Sequence, residues 1–256
     1  MKLLKQIDSH IETENFRNEY EKVRKSHHPS EVLSCNRAIV YKWMKADISN
    51  PRDATSVWRM EMGKAVELLA IKYLREMGFD VDDQREITIE SKRLKYPIHG
   101  YIDIWVNDNE GGNGAEVKTT WGYGTTDVSN NGPREQDISQ SMVYMSAENQ
   151  NTYNLIYIAR DTLWRNEYVI RKSDEELRSF MSSVEDKFSK IEDYVENNII
   201  PPRDFKAIVA DGEVKSTIQR NGVKYKSDWN CLYCVRRDLC YAEERSDYGL
   251  HIPEGL

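Results

Sequence analysis

The four cysteines constrain this chain more than any other feature. Cys35 stands alone near the start, and the other three crowd near the end as Cys231-Leu-Tyr-Cys234-Val-Arg-Arg-Asp-Leu-Cys240. If all four bind one centre, the fold must bring together points 196 positions apart (231 − 35). Loop-closure entropy values such a link at about 5 kcal/mol, by analogy with a disulfide. Four thiolates can hold a [4Fe–4S] cluster or a structural zinc, and spacing alone does not choose between them. Zinc sites more usually pair two Cys-x-x-Cys knuckles. Cysteine clusters of this kind belong to a reducing compartment, so a cytoplasmic location is expected. The amino terminus, Met-Lys-Leu-Leu-Lys, has no signal-peptide pattern, and no apolar run approaches the roughly 18–20 residues that span a bilayer.

Length and composition fit an α/β protein with a packed core. The 256 residues are 39% hydrophobic and 31% charged, with a net charge of −7. That balance argues against broad, non-specific duplex binding, which a basic surface normally drives. It leaves room for a locally basic groove and for a carboxylate-rich metal site.

Periodicity and punctuation predict a polar helix over residues 10–26, a second from Cys35 to Lys45, and a longer one from Asp53 to Met77, stopped by Gly78. Strands are expected at Glu86–Glu90, Ile98–Val106 and Ala115–Thr119, with a hairpin turn over 107–114. A helix after Pro133 (Arg134–Ala147) and strands at Tyr153–Ala159 and Glu167–Ile170 follow. Ser173-Asp-Glu-Glu176 reads as a capping box opening a helix to about Asn197, ended by Pro201-Pro202. Residues 201–256 read as a loop-rich cysteine segment. No phosphate-loop motif is present.

The chemistry concentrates in the middle. Strict alternation puts Ile102, Ile104 and Val106 on one face and Asp103 and Trp105 on the other. In the next strand it sets Glu116 and Lys118 opposite Ala115 and Val117. Two carboxylates and an ammonium then converge beside the hairpin. Carboxylate oxygens suit Mg²⁺ or Mn²⁺, and a nearby lysine can orient a nucleophile or stabilise a charged transition state. Gln140 and Tyr144 lie one helical turn apart; the Gln amide could orient a lysine or phosphate, and the Tyr could stack its ring on a base or offer its hydroxyl to a phosphate. Gly63 and Glu67 share a helix face, and a mid-helix glycine points to close approach of a backbone or ligand.

Taken in order, Gly63-x-x-x-Glu67, Gly100-x-x-Asp103, Glu116-x-Lys118 and Gln140-x-x-x-Tyr144 resemble the motifs of RecB-type nucleases of the PD-(D/E)XK superfamily. The flanking cysteines, with Ser34-Cys35-Asn-Arg37 and Tyr41, resemble its four-cysteine branch, which includes CRISPR-associated exonucleases. The resemblance runs from about Ser30 to Tyr241. It implies a restriction-endonuclease-like core, a mixed central sheet flanked by helices, over roughly 81–200. A helical amino-terminal part (1–80) and a segment closing back on Cys35 (201–256) complete a single nuclease domain. It further implies a [4Fe–4S] cluster on Cys35, Cys231, Cys234 and Cys240, and Mg²⁺ or Mn²⁺ held by Glu67, Asp103, Glu116 and Val117. Asp103, Glu116, Lys118, Gln140 and Tyr144 are the implied catalytic set. Many members carry His where this chain has Glu67. The implied activity is a metal-dependent DNA nuclease on single strands or free ends, with any helicase, integrase or recombination protein acting in trans. A non-cleaving DNA-binding component, a structural zinc protein and an enzyme acting on RNA remain alternatives.

Overall fold

The structure, a computed structural model, describes residues 3–21, 23–108, 112–246 and 249–256. In chain order the elements are α1 (Leu3–Glu21), α2 (Asn36–Trp43), α3 (Ala54–Glu76), β1 (Asp80–Ile89), β2 (Ile98–Asn107), β3 (Asn113–Thr120), α4 (Tyr123–Asn131), α5 (Glu135–Glu148), β4 (Thr152–Ala159), β5 (Arg165–Arg171) and α6 (Asp174–Glu196). Then come β6 (Ile208–Ala210), β7 (Glu213–Lys215), β8 (Thr217–Arg220), β9 (Val223–Lys226), α7 (Trp229–Leu232), α8 (Arg237–Cys240), α9 (Ala242–Ser246) and β10 (Leu250–His251). The chain forms two compact units. One holds residues 25–33 and 58–192, the other residues 1–24, 34–57 and 193–256.

The first unit is built on a five-stranded mixed sheet in the order β1-β2-β3-β4-β5. β1, β2 and β3 form an antiparallel meander, β3 and β4 run parallel, and β5 returns antiparallel. A parallel pair needs a crossover, and α4 and α5 supply it. Ile71 of α3 packs with Ile104 and Ala115 on one side. Met142, Tyr144 and Met145 of α5 pack with Ile102, Trp105, Tyr153, Leu155 and Tyr157 on the other. Both faces are thus covered by apolar helix surface, which buries the middle strands.

Strict alternation fails in β2. Ile102 and Trp105 share one cluster, whereas Ile104 and Val106 belong to the other. The β1–β2 register skips Gln84 opposite Asp103, and Gln84 has a left-handed backbone (φ 54°). A local irregularity at this pair therefore resets the phase beside Asp103, much as a bulge re-aims side chains. β1 is also longer than its apolar stretch suggested. It is an edge strand whose first half is charged, a usual protection for an edge, and Arg85 secures it by two hydrogen bonds to Glu148 (2.9 and 3.0 Å) and by lying 4.6 Å from the Trp105 ring centre. The turn expected at 107–114 lies partly outside the described residues, at 109–111.

The helix predicted over 10–26 is shifted, since α1 covers Leu3–Glu21 and Lys22 is outside the described residues. Asp53 caps α3 by accepting from Ser56 N at 2.8 Å. The Ser173/Glu176 box is formed reciprocally at the start of α6, at 2.8 and 3.2 Å. The segment 201–256, expected to be loop-rich, carries short strands and helices between its loops. β6 and β7 join through Asp211-Gly212 (φ 53° and 74°), and β8 and β9 through Asn221-Gly222 (φ 51° and 78°). Both are two-residue hairpin turns of the kind that needs positive φ at each central position. No helix among the described residues is long and apolar enough to cross a membrane.

Candidate active site

Glu116, on the middle strand β3, is 4% exposed. Its Oε1 accepts from Lys118 Nζ at 2.7 Å and from Gln140 Nε2 at 2.9 Å. Lys118 also donates to Gln140 Oε1 at 3.0 Å, and Gln140 Nε2 reaches the Tyr144 hydroxyl at 3.0 Å. A lysine two residues beyond a glutamate shares its strand face, and α5 lays one helical turn across that face. Gln140 therefore touches both members of the Glu-x-Lys pair. Its amide satisfies the anion with N–H and the cation with its oxygen, so it fixes their separation.

Tyr144 is 3% exposed, and its ring stacks 5.8 Å from that of Tyr153. A ring so enclosed is part of the core and is not placed to stack on a base, contrary to the sequence expectation for it. Gly100 has a packing reason: a Cβ there would stand 2.9 Å from the Pro29 ring and 3.4 Å from Tyr144. At Gly63 a Cβ would meet only Thr119 Oγ1 at 3.5 Å, an ordinary contact, so backbone crowding does not explain that glycine.

Asp103 Oδ2 accepts from Val117 N at 2.9 Å, and Glu67 Oε1 accepts from Gln84 Nε2 at 2.6 Å. Burial pushes the Asp103 carboxyl up to about 6, with repulsion from Glu67 second. Burial likewise pushes Glu116 up to about 7; Lys118 opposes the rise and Asp103 adds to it. Glu67 is raised by burial too, with the Gln84 hydrogen bond opposing. For Lys118 burial alone would favour the neutral amine, but the Glu116 and Asp137 carboxylates outweigh it and hold the ammonium charged. Three mutually repelling carboxylates beside one ammonium make a site with an excess of negative charge.

That donor set fits a hard divalent cation. Glu116 Oε2 is buried and has no hydrogen-bond partner, the sort of orphan that a cation would satisfy. As the side chains stand, no group of three or more His, Cys, Asp or Glu among the described residues is placed to hold an ion. The carboxylates are instead turned to Val117 N, Gln84 and Lys118. Val117 itself shows a donated N–H and a side chain packed against the Ile71–Ile104–Ala115 cluster.

Sequence reasoning missed Asp137. It is 8% exposed on the first turn of α5, accepts from the Tyr157 hydroxyl, and lies 3.9 Å from Lys118 Nζ. Its signal was its place one helical turn before Gln140.

In the second unit, Cys35, Cys231, Cys234 and Cys240 line one pocket with Arg37, Tyr41, Arg203 and Tyr241. All four are free thiols. Burial raises Cys35 and Cys234, and pushes Cys231 up to about 12 against a Tyr241 hydrogen bond. Arg37 Nη1 lies 3.6 Å from Cys240 Sγ, and the Tyr241 hydroxyl 3.5 Å from Cys231 Sγ. Four thiols facing one pocket, with guanidinium groups beside them, suit a centre that demands thiolate.

No family model matches the sequence, and no curated protein sequence matches it. Among solved structures, SSO0001 is similar with a TM-score of 0.58 at 17% identity, over 93% of this chain and 97% of that one. An alkaline exonuclease from Laribacter hongkongensis, LHK-Exo, is similar with a TM-score of 0.50 at 14% identity, over 73% of this chain and 95% of that one. At these identities the likeness is one of fold: a mixed sheet flanked by helices, similar to that of an alkaline exonuclease.

Proposed function

We propose that this protein is a metal-dependent deoxyribonuclease of the PD-(D/E)XK type, acting on single strands or free ends. The observation that carries the reading is the Glu116–Lys118–Gln140 network beside Asp103, on a fold similar to that of an exonuclease. Asp103, Glu116, Glu67 and Val117 would hold Mg²⁺ or Mn²⁺. A bound divalent ion supplies Lewis acidity to a phosphate oxygen and makes water a better nucleophile near neutral pH. The protein's own part is positional and electrostatic. Lys118, kept charged and oriented by Glu116 and Gln140, can donate to a phosphate oxygen as charge develops there. Tyr144 holds Gln140, and Asp137 adds a second anion to keep Lys118 protonated.

The same proposal includes a [4Fe–4S] cluster on Cys35, Cys231, Cys234 and Cys240. One pocket gathers the four thiols. From the resemblance we add a place beside CRISPR-associated or recombination machinery, with a helicase or integrase in trans.

The test is cleavage of end-labelled single- and double-stranded DNA by anaerobically purified protein with Mg²⁺ or Mn²⁺. Metal-dependent cleavage that disappears in Lys118→Ala, with folding retained, is expected. Equal cleavage by that variant would sink the reading.

A further inference from the structure

α3 meets the sheet, and the residue just past β3, at three points along one helix face. Arg59, Gly63 and Glu67 recur every four positions on α3, hence on one helix face, and about 12 Å of helix separates the first from the last. Glu67 Oε1 accepts from Gln84 Nε2 at 2.6 Å, beside Asp103. Gly63 faces Thr119 of β3. The Arg59 guanidinium lies 4.8 Å from the ring centre of Trp121, just past the end of β3. The two residues preceding that position lead back to Lys118, about 10 Å away along extended chain. Between the carboxylates and the Arg59–Trp121 pair, the helix places Gly63 against Thr119.

The far end of this line has the chemistry of a stacking platform. Trp121 is 53% exposed and Tyr123 is 84% exposed, separated by Gly122 at φ 49°. Large aromatic rings left in water beside a charged site call for a partner. Arg160 donates to the Arg59 backbone oxygen at 2.8 Å, and the Arg59 charge is close enough to act on the Arg160 guanidinium. The Arg134 guanidinium lies against Gly124, where a Cβ would be 2.9 Å from its Nη2. The carboxylate of Asp161 is engaged by Gly122 N at 2.8 Å and Thr162 N at 3.0 Å. Asp161 keeps its charge, and Arg59, Arg160 and Arg134 outnumber it on a chain whose net charge is −7.

We infer that Trp121 and Tyr123, flanked by Arg59, Arg160 and Arg134, form a platform that stacks bases of single-stranded DNA next to the acidic site. Aromatic faces take bases without regard to sequence, and arginines neutralise the neighbouring phosphates. Bases within a duplex are already stacked on one another, so the platform selects single strands. This deepens the nuclease reading and rests on it.

The experiment is fluorescence anisotropy of labelled oligothymidylate and of a duplex of equal length, in metal-free buffer where no cleavage occurs. Trp121→Ala should weaken single-strand binding about 5- to 100-fold, the range for one lost stacking contact, and weaken duplex binding much less. Trp121→Phe should recover most of the loss, because it keeps a π-face. Arg59→Gln should lower the slope of log affinity against log salt by roughly 0.7. Unchanged single-strand affinity in Trp121→Ala, or an equal loss on both DNAs, would overturn the platform. So would failure of the unaltered protein to bind the oligonucleotide. A separate cleavage assay tells the two readings apart. Cleavage with Trp121-independent binding removes the platform alone, and Trp121-dependent binding without cleavage removes the nuclease.

Discussion

At the scale of single residues, the acidic site is dominated by burial. Asp103 and Glu116 hold their protons to about pH 6 and about pH 7. Their ordinary values, near 4, apply once the chain unfolds. The unfolded chain therefore releases these protons at lower pH than the folded one. Stability from this source is intact below about pH 4 and is lost as pH rises through 6 and 7. We expect the melting temperature of metal-free protein to fall over that window, and Glu116→Gln to flatten the fall. Mn²⁺ should raise the melting temperature more at pH 8 than near pH 5.5, because its ligands must shed protons to bind. A melting temperature rising over the same window in metal-free protein, and unaffected by Glu116→Gln, would contradict this account. Tyr144 gives a second expectation. Removing its hydroxyl in Tyr144→Phe costs the Gln140 hydrogen bond, about 1 kcal/mol, whereas Tyr144→Ala empties a core position and costs about 3–5 kcal/mol. Chemical denaturation reads both. The spacing of Glu116, Lys118, Gln140 and Tyr144 was legible because strand and helix periods are fixed by geometry. The burial of Tyr144 was not, since a polar helix face in sequence says nothing of what covers it.

At the scale of elements, β2 shows where local reasoning stops. Its alternation was sound up to Ile102, but the phase shift beside Asp103 depends on Gln84, a residue of a different strand. A partner's backbone is invisible to a pattern read along one segment. α4 was missed because Tyr123–Asn131 is rich in Thr, Ser, Asn and Gly, which favour turns. Its place is set by the crossover that β3 and β4 require. The hairpins of the carboxyl-terminal unit were legible and overlooked, for Asp-Gly and Asn-Gly between short β-rich runs are strong turn signals. Gly100 provides the element-scale prediction. It lets the turn at Pro29–Glu31 and the Tyr144 ring both lie against β2. Gly100→Ala inserts a methyl into that contact and should cost about 1–3 kcal/mol by overpacking. Gly63→Ala, with only an ordinary contact to meet, should be stabilising by up to about 1 kcal/mol through helix propensity. Comparing the two unfolding midpoints separates a glycine kept for packing from one that packing does not require.

At the scale of the whole molecule, the chain's two ends share a unit. Residues 34–57 and 193–256 belong to one compact body, and Cys35 reaches the pocket of Cys231, Cys234 and Cys240 within it. Arg37 and Arg203 tie the same region together, Arg37 through Nε to Pro201 O at 2.7 Å and Arg203 through Glu244. These contacts hold the thiols in place but do little to satisfy Cys35, Cys231 and Cys234, whose burial favours the protonated form. A centre that converts them to thiolates therefore adds stability that the protein contacts do not supply. Anaerobically purified protein should be brown, with iron and sulfide each near about four per chain, the composition of that cluster type. Cys35→Ser is the sharpest variant, because only the folded chain brings this residue to the other three. It should lose iron and sulfide and lower the melting temperature by several degrees, as iron chelation should in the unaltered protein. Cleavage in that variant should decline only as far as folding does, since Asp103, Glu116 and Lys118 belong to the other unit. Stoichiometric zinc without sulfide would replace the cluster with a different centre on the same four ligands. Full iron and sulfide in Cys35→Ser would instead remove Cys35 from the ligand set, and with it the closure of the chain across 196 positions (231 − 35).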